Sequence, residues 1–168
     1  MRCTNIKLCR RIVSYVRKVK GIKMERLDYR EISAEGWNRL GQLSRYGHDC
    51  GLGEQLTELV KLRASQINGC AHCINMHVEI LRRNGESEER LQNLVVWWEA
   101  TCFTDREKAA LAWAEAVTLV ADSRVPGDVF LQAHGQFTDQ ELVDLTYVII
   151  TINAHNRLAV AFRRVPGS

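Results

Sequence analysis

Proline is nearly missing from this sequence, with 2 in 168 residues, and glycine numbers only 11. Proline removes a backbone donor and glycine loosens the chain, so their scarcity leaves little punctuation and favours helices over a strand-rich fold. Long hydrophobic runs are missing too. The longest candidate, LTYVIITI from Leu145 to Ile152, falls far short of the ~18 residues a membrane-crossing helix needs, so no membrane partner is expected. No segment is of low complexity. No second Cys/His pair stands at zinc-finger spacing and no helix-turn-helix pattern occurs, so nucleic acid is not an expected partner either. What remains is 46% apolar and 26% charged, the composition of a globular protein. The length suits one domain with a real core.

Acidic residues are absent from the first 23 positions, which hold eight Lys or Arg. The remainder carries 15 basic and 20 acidic residues, so a body of net charge −5 lies behind an overall charge of +3. A basic head on an acidic body marks a separate segment. Residues 1–23 are therefore expected to be an accessory extension, and residues 24–168 the folded domain. Within the head, Leu8, Ile12, Tyr15, Val19 and Ile22 recur at helical spacing, which makes it a candidate basic amphipathic helix. Its interleaved charges leave no clean apolar stretch for a secretory signal. Of the six cysteines, Cys3, Cys9, Cys50 and Cys102 have no partner spacing; only Cys70 and Cys73 do. That usage reads as thiols of a reducing, cytoplasmic compartment rather than a secreted disulfide framework.

The expected elements are all helical, seven or eight in number. After an irregular lead-in over residues 27–31, Ser33 is placed to cap a helix carrying Trp37, Leu40 and Leu43. Glycines in GHDCGLG end it. A second helix covers residues 54–67, and Asn68-Gly69 is a turn dipeptide. A third runs from near Cys70 to Arg83, with Asn84-Gly85 as its C-terminal cap. Ser87 starts another, expected to extend through Leu94, Val95 and Trp98. FTDRE and FTDQE each place Thr at an N-cap with Glu three residues on, the capping-box pattern. In the second, Phe137 and Leu142 stand at hydrophobic-staple positions. Pro126 favours a short helix ending near Gly135, and the final helix reaches about Arg163. Such a chain forms antiparallel neighbours joined by short loops.

The chemistry is concentrated in NGCAHCINMH, residues 68–77. With Cys70 in the first turn of a helix, Cys73 at i+3 and His77 at i+7 project from the same face. The two cysteine Cα atoms are then roughly 5–5.5 Å apart, inside the disulfide window. Amide N–H groups at a helix start favour a thiolate, and a histidine one turn on can take its proton. If residues 54–83 form an antiparallel hairpin, Glu58 and His77 lie within roughly 3 Å of each other along its axis, counting about 1.5 Å per residue from the turn. A carboxylate beside an imidazole fixes its tautomer and raises its basicity. Haem attachment is excluded, because Ile74 stands where a histidine must follow the second Cys. Zinc would need a fourth ligand beside Cys70, Cys73 and His77, and His72, directed off that face, is the only near one. A structural-zinc module and a redox sensor without turnover stay open beside a redox enzyme. Which of the two cysteines attacks also stays open: Cys73 is nearer His77, while Cys70 gains more from the helix dipole. Trp97, Trp98 and Trp113 are expected in the core or at subunit contacts, His48 and His134 in solvated loops. Asn153, His155, Asn156 and Arg157 are expected to form a satisfied buried network or an interface, with a contribution to the active-site pocket as the lesser alternative.

The run Glu58-x11-Cys70-x2-Cys73-x3-His77 closely resembles the signature of AhpD-like (alkylhydroperoxidase D) proteins of the carboxymuconolactone decarboxylase superfamily. TDREKAALAWAEAVT and INAHNRLAVAFR look like that family's later helices, so the resemblance spans residues 24–166. It implies an all-α AhpD-like bundle assembled as a trimer or hexamer. It further implies thiol-dependent reduction of hydroperoxides in antioxidant defence, with no cofactor or metal of its own and an external thiol or dithiol protein as reductant. Carried over, Cys73 would be peroxidatic and Cys70 resolving; His77 and Glu58 would form a proton relay, with His72 accessory.

Overall fold

The computed structural model describes residues 25–166; the basic head, with Cys3 and Cys9, lies outside them. Among the described residues the protein is all-α, with nine α-helices, one 3-10 turn and no strand. In chain order these are α1 (Tyr29–Ile32), α2 (Ala34–Asp49), α3 (Glu54–Ile67), α4 (Ala71–Arg83), α5 (Glu88–Asn93) with the 3-10 turn Leu94–Val96, α6 (Asp105–Thr118), α7 (Val120–Ser123), α8 (Gly127–His134) and α9 (Asp139–Phe162). The two single-turn helices, α1 and α7, bring the number above the seven or eight expected.

Helix starts follow their local chemistry. Thr104 and Thr138 each accept from the backbone N–H of the glutamate three residues on, and that glutamate accepts from the threonine's own N–H. These reciprocal bonds satisfy two orphan donors at each start. Phe137 and Leu142 are both buried in one core cluster, completing the staple before α9. Ser33 occupies the cap position before α2, but its side chain makes no cap bond. The helix expected to run past Val95 stops at Asn93. There the tighter three-residue repeat of a 3-10 turn brings Leu94 and Trp97 to the core side, while Val95, Val96 and Trp98 face outward.

α3 is the central helix, buried on several sides. Leu56 and Val60 enter one core cluster with Trp113, Leu145 and Ile149. Leu59 and Leu62 enter the other, with Leu81, Leu94 and Phe103. Both clusters contain fully buried large aliphatic side chains, Val60, Leu145 and Ile149 in the first and five leucines in the second, each contributing about 1.5–3 kcal/mol through removal of apolar surface from water. α3 and α4 form the antiparallel hairpin, turned at Gly69, whose φ of +65° suits glycine. α2 crosses α9 closely at Gly47, where an added Cβ would stand 2.9 Å from a Val148 methyl. This close approach seats α2 and α9 against the hairpin and leaves an open cleft between the four helices.

Candidate active site

The cleft is a cavity of about 580 Å³ walled mainly by four helices, with Tyr29 and Arg30 of α1 and Arg164 after α9 also lining it. α2 contributes Trp37, Gly41, Ser44, Arg45 and His48, a stripe at helical spacing. α9 contributes Val148, Thr151, Ile152, His155 and Ala159, again one face. Glu58 and Lys61 come from α3, and His72, Cys73, Met76, His77 and Ile80 from α4.

Cys70 is the N-cap of α4 rather than a residue of its first turn, and its sulfur accepts the Cys73 backbone N–H at 3.3 Å. The two Cα atoms are 5.4 Å apart and the sulfurs are in bonding contact. Both side chains are buried and pack on Ala159 of α9. Only Cys73 lines the cavity; Cys70 sits behind it.

His77 is buried one turn beyond Cys73. Its Nδ1 stands 2.6 Å from Glu58 Oε2 across the hairpin. A carboxylate only accepts, so Nδ1 carries the hydrogen and donates. In the neutral ring Nε2 then holds the lone pair. That atom is buried and has no hydrogen-bond partner. The other Glu58 oxygen accepts from Lys61 Nζ at 2.7 Å. Burial by itself would raise the Glu58 carboxyl, but the hydrogen bond and charge of His77, and then Lys61, outweigh it and hold the pKa at about 2. Glu58 is thus a carboxylate at neutral pH, and it orients the imidazole. Lys61 is one helical turn from Glu58, so the i,i+3 spacing carried its signal; sequence reasoning passed it over.

His72 also lines the cavity, although helix geometry alone directs it off the Cys70–Cys73–His77 face. The segment after α9 folds back over the start of α4, and His72 Nδ1 pairs with the Val165 carbonyl at 3.1 Å. His155 lines the cavity as well, the lesser of the alternatives for its polar cluster, and stands edge-on to Trp37 with ring centroids 5.1 Å apart. Burial, then the charges of His77 and Lys61, lower its pKa. His48 is in the last turn of α2, not a loop, and faces the cavity. His134 ends α8, paired with Asp139. Trp97 and Trp113 are buried, whereas Trp98 is half exposed.

Asn153 and Asn156 of α9 hold the motif turn. Asn68 Nδ2 lies 3.0 Å from both Asn153 Oδ1 and Asn156 Oδ1, and Asn156 donates to Ser65 Oγ at 3.0 Å. These bonds tie the residue two before Cys70 to the long helix. For the zinc alternative, no group of three or more His, Cys, Asp or Glu among the described residues is arranged to hold a metal ion. None of the described helices is long and apolar enough to cross a membrane.

Comparison with known proteins agrees with this fold. The profile of the carboxymuconolactone decarboxylase family matches residues 33–116. An uncharacterized Bacillus subtilis protein, YdfG, is 36% identical over 137 residues, covering 82% of this chain and 93% of its own. The crystal structure of ATU0492 from Agrobacterium tumefaciens, a protein of unknown function and candidate AhpD for antioxidant defence, superposes with a TM-score of 0.84. It is 39% identical, over 86% of this chain and 99% of that one. A peroxidase-related protein from Silicibacter sp. TM1040 shares the fold, with a TM-score of 0.68 at 19% identity, over 86% of this chain and 92% of that one. The helical bundle, the hairpin-borne cysteine pair and these similarities together place the chain in the carboxymuconolactone decarboxylase family, among its AhpD-like members.

Proposed function

We propose that the protein is a thiol-dependent hydroperoxide reductase. The observation that carries this reading is the line from Glu58 through His77 to the cavity. A buried carboxylate locks Nδ1, and the unpartnered Nε2 belongs to a ring that shares the cavity with Cys73. The candidate AhpD assignment of the Agrobacterium relative supports it.

In this mechanism His77 Nε2 takes the Cys73 proton, and the thiolate attacks the terminal oxygen of the hydroperoxide. The O–O bond breaks, the sulfur becomes a sulfenic acid, and the alkoxide leaves with the proton returned from His77 as an alcohol. The Cys70 sulfur then displaces water from the sulfenic acid, closing the disulfide. Two thiols and one hydroperoxide thus give one disulfide, one alcohol and one water. An external dithiol restores the pair through a mixed disulfide. Cys73 is the attacking residue because it, not Cys70, lines the cavity; His72 serves as an accessory wall of the site. Assembly as a trimer or hexamer, with a separate thiol protein as reductant, belongs to the same reading.

Stoichiometric cumene hydroperoxide followed by thiol counting and intact mass tests it. The wild type is expected to lose two thiols and two hydrogens, and to turn over with dithiothreitol. Cys70→Ser is expected to stop at a sulfenic acid, and Cys73→Ser not to react. Two thiols lost once without turnover would leave a redox sensor in place of an enzyme. Reaction of Cys73→Ser with loss of reaction in Cys70→Ser would reverse the roles.

A further inference from the structure

The cavity is cationic inside an acidic body. Among the described residues acids outnumber bases 20 to 15, yet the cavity is lined by Arg30, Arg45, Lys61 and Arg164 and by one carboxylate, Glu58. That carboxylate is itself held by Lys61 and His77. Arg164 pairs with Glu25 and Arg30 lies near Asp28, and neither acid lines the cavity. Arg45 is different: it pairs with no carboxylate among the described residues. Its Nη1 lies 4.0 Å from the point where a Gly41 Cβ would stand, so the guanidinium folds back along α2 at the cavity wall, where the side chain is open to solvent and to an incoming ligand. The rest of the wall combines apolar and aromatic side chains such as Trp37, Met76 and Ile152 with neutral polar ones such as Asn38, Ser44 and Thr151. At about 580 Å³ the space falls in the range that holds drug-sized molecules, far more than hydrogen peroxide requires.

We propose that this cavity selects organic hydroperoxides that carry a carboxylate on an apolar or aromatic body, with Arg45 as the specificity-determining cation. The proposal rests on the peroxidase reading and names the substrate class of that site. Low-dielectric walls lined by one sign of charge concentrate ligands of the other sign, and a guanidinium presents a fork that matches a carboxylate. The redox step is unchanged: the Cys70–Cys73 thiols become a disulfide while the hydroperoxide becomes alcohol and water. The carboxylate takes no part in it.

Two hydroperoxides that differ only in charge provide the test: cumene hydroperoxide and its para-carboxylate. Each is mixed with the reduced protein without any reductant, and the second-order rate of thiol loss is read at low and high salt. At low salt the carboxylate is expected to react about tenfold faster, with the ratio shrinking as salt rises. Arg45→Ala is expected to bring the ratio toward one. Arg39→Ala removes the same charge from the same helix outside the cavity wall and is expected to keep the ratio. Equal rates in the wild type would overturn the proposal while leaving the peroxidase reading intact, and a ratio insensitive to Arg45→Ala would overturn the role of Arg45. If neither compound oxidises the thiols, the peroxidase reading falls. Binding of 4-isopropylbenzoate against its neutral amide, followed by tryptophan fluorescence, then decides the anion site alone: a preference for the acid sustains it, and equal binding ends it.

Discussion

Replacing Glu58 by Gln keeps the side chain's shape and removes its charge, which isolates what the carboxylate does. In the native protein one oxygen accepts from His77 Nδ1 at 2.6 Å and the other from Lys61 Nζ at 2.7 Å, all three side chains being largely buried. Gln offers a single carbonyl acceptor, so it can serve His77 or Lys61 but not both, and its NH2 faces a donor. Breaking a buried pair by removing one partner costs about 3–5 kcal/mol. The fall of the carboxyl from 4.5 to about 2 points to a similar size, about 3 kcal/mol at neutral pH. In a chain of this length that corresponds to a drop in Tm of roughly 6–12 °C. Because the folded carboxyl titrates below the unfolded one, its stabilisation is complete above the unfolded value of 4.5 and is lost as pH falls toward about 2. Urea unfolding of wild type and Glu58→Gln between pH 7 and 2.5 measures this. A gap of about 3 kcal/mol at pH 7 that closes toward pH 2.5 is the expected result. A gap below about 1 kcal/mol at pH 7, or one that stays constant with pH, would refute the Lys61–Glu58–His77 arrangement. Thiol oxidation by cumene hydroperoxide in the same variant is expected to slow by about 10²-fold or more, the range for a lost general base.

Three further outcomes are expected. Gly47→Ala puts a Cβ 2.9 Å from a stiff Val148 methyl, so it should cost about 1–3 kcal/mol in thermal or urea unfolding, against the gain that Gly→Ala brings inside an unobstructed helix. Thr138→Ala removes the α9 capping box and should cost about 1 kcal/mol, measured the same way. Asn68→Ala leaves the side-chain oxygens of Asn153 and Asn156 without their shared donor. It should lose about 1–3 kcal/mol of stability, and it should slow Cys70–Cys73 disulfide closure, read by mass after one equivalent of hydroperoxide.

The two halves of the site differ in how far they were legible. Glu58 and His77 could be paired from the sequence because a short turn at Asn68-Gly69 makes the register of an antiparallel hairpin a matter of counting residues. Cys70 and Cys73 could be brought together for the same reason: three residues along a helix start fix the separation of their Cα atoms. His155 and Trp37 could not be paired in this way. They are 118 residues apart in sequence, and only the packing of α2 against α9 brings their rings together. Lys61 was legible by spacing, yet an i,i+3 pair usually lies on a solvated surface. Its weight comes from burial, which periodicity alone did not reveal.

The sequence by itself determined the class of the fold, the helix starts, the hairpin and the ordering of the reactive groups along it. All of these rest on local physics: capping hydrogen bonds, the helical repeat and glycine's freedom at a turn act within a few residues. Only the tertiary structure decided that Cys73 meets the cavity while Cys70 sits behind it, and that His72 turns toward the site under Val165. The same holds for the cationic wall, where Arg45 of α2, Lys61 of α3 and residues of α9 line one space. Those outcomes depend on how helices distant in sequence pack, and each helix's own sequence is compatible with more than one neighbour.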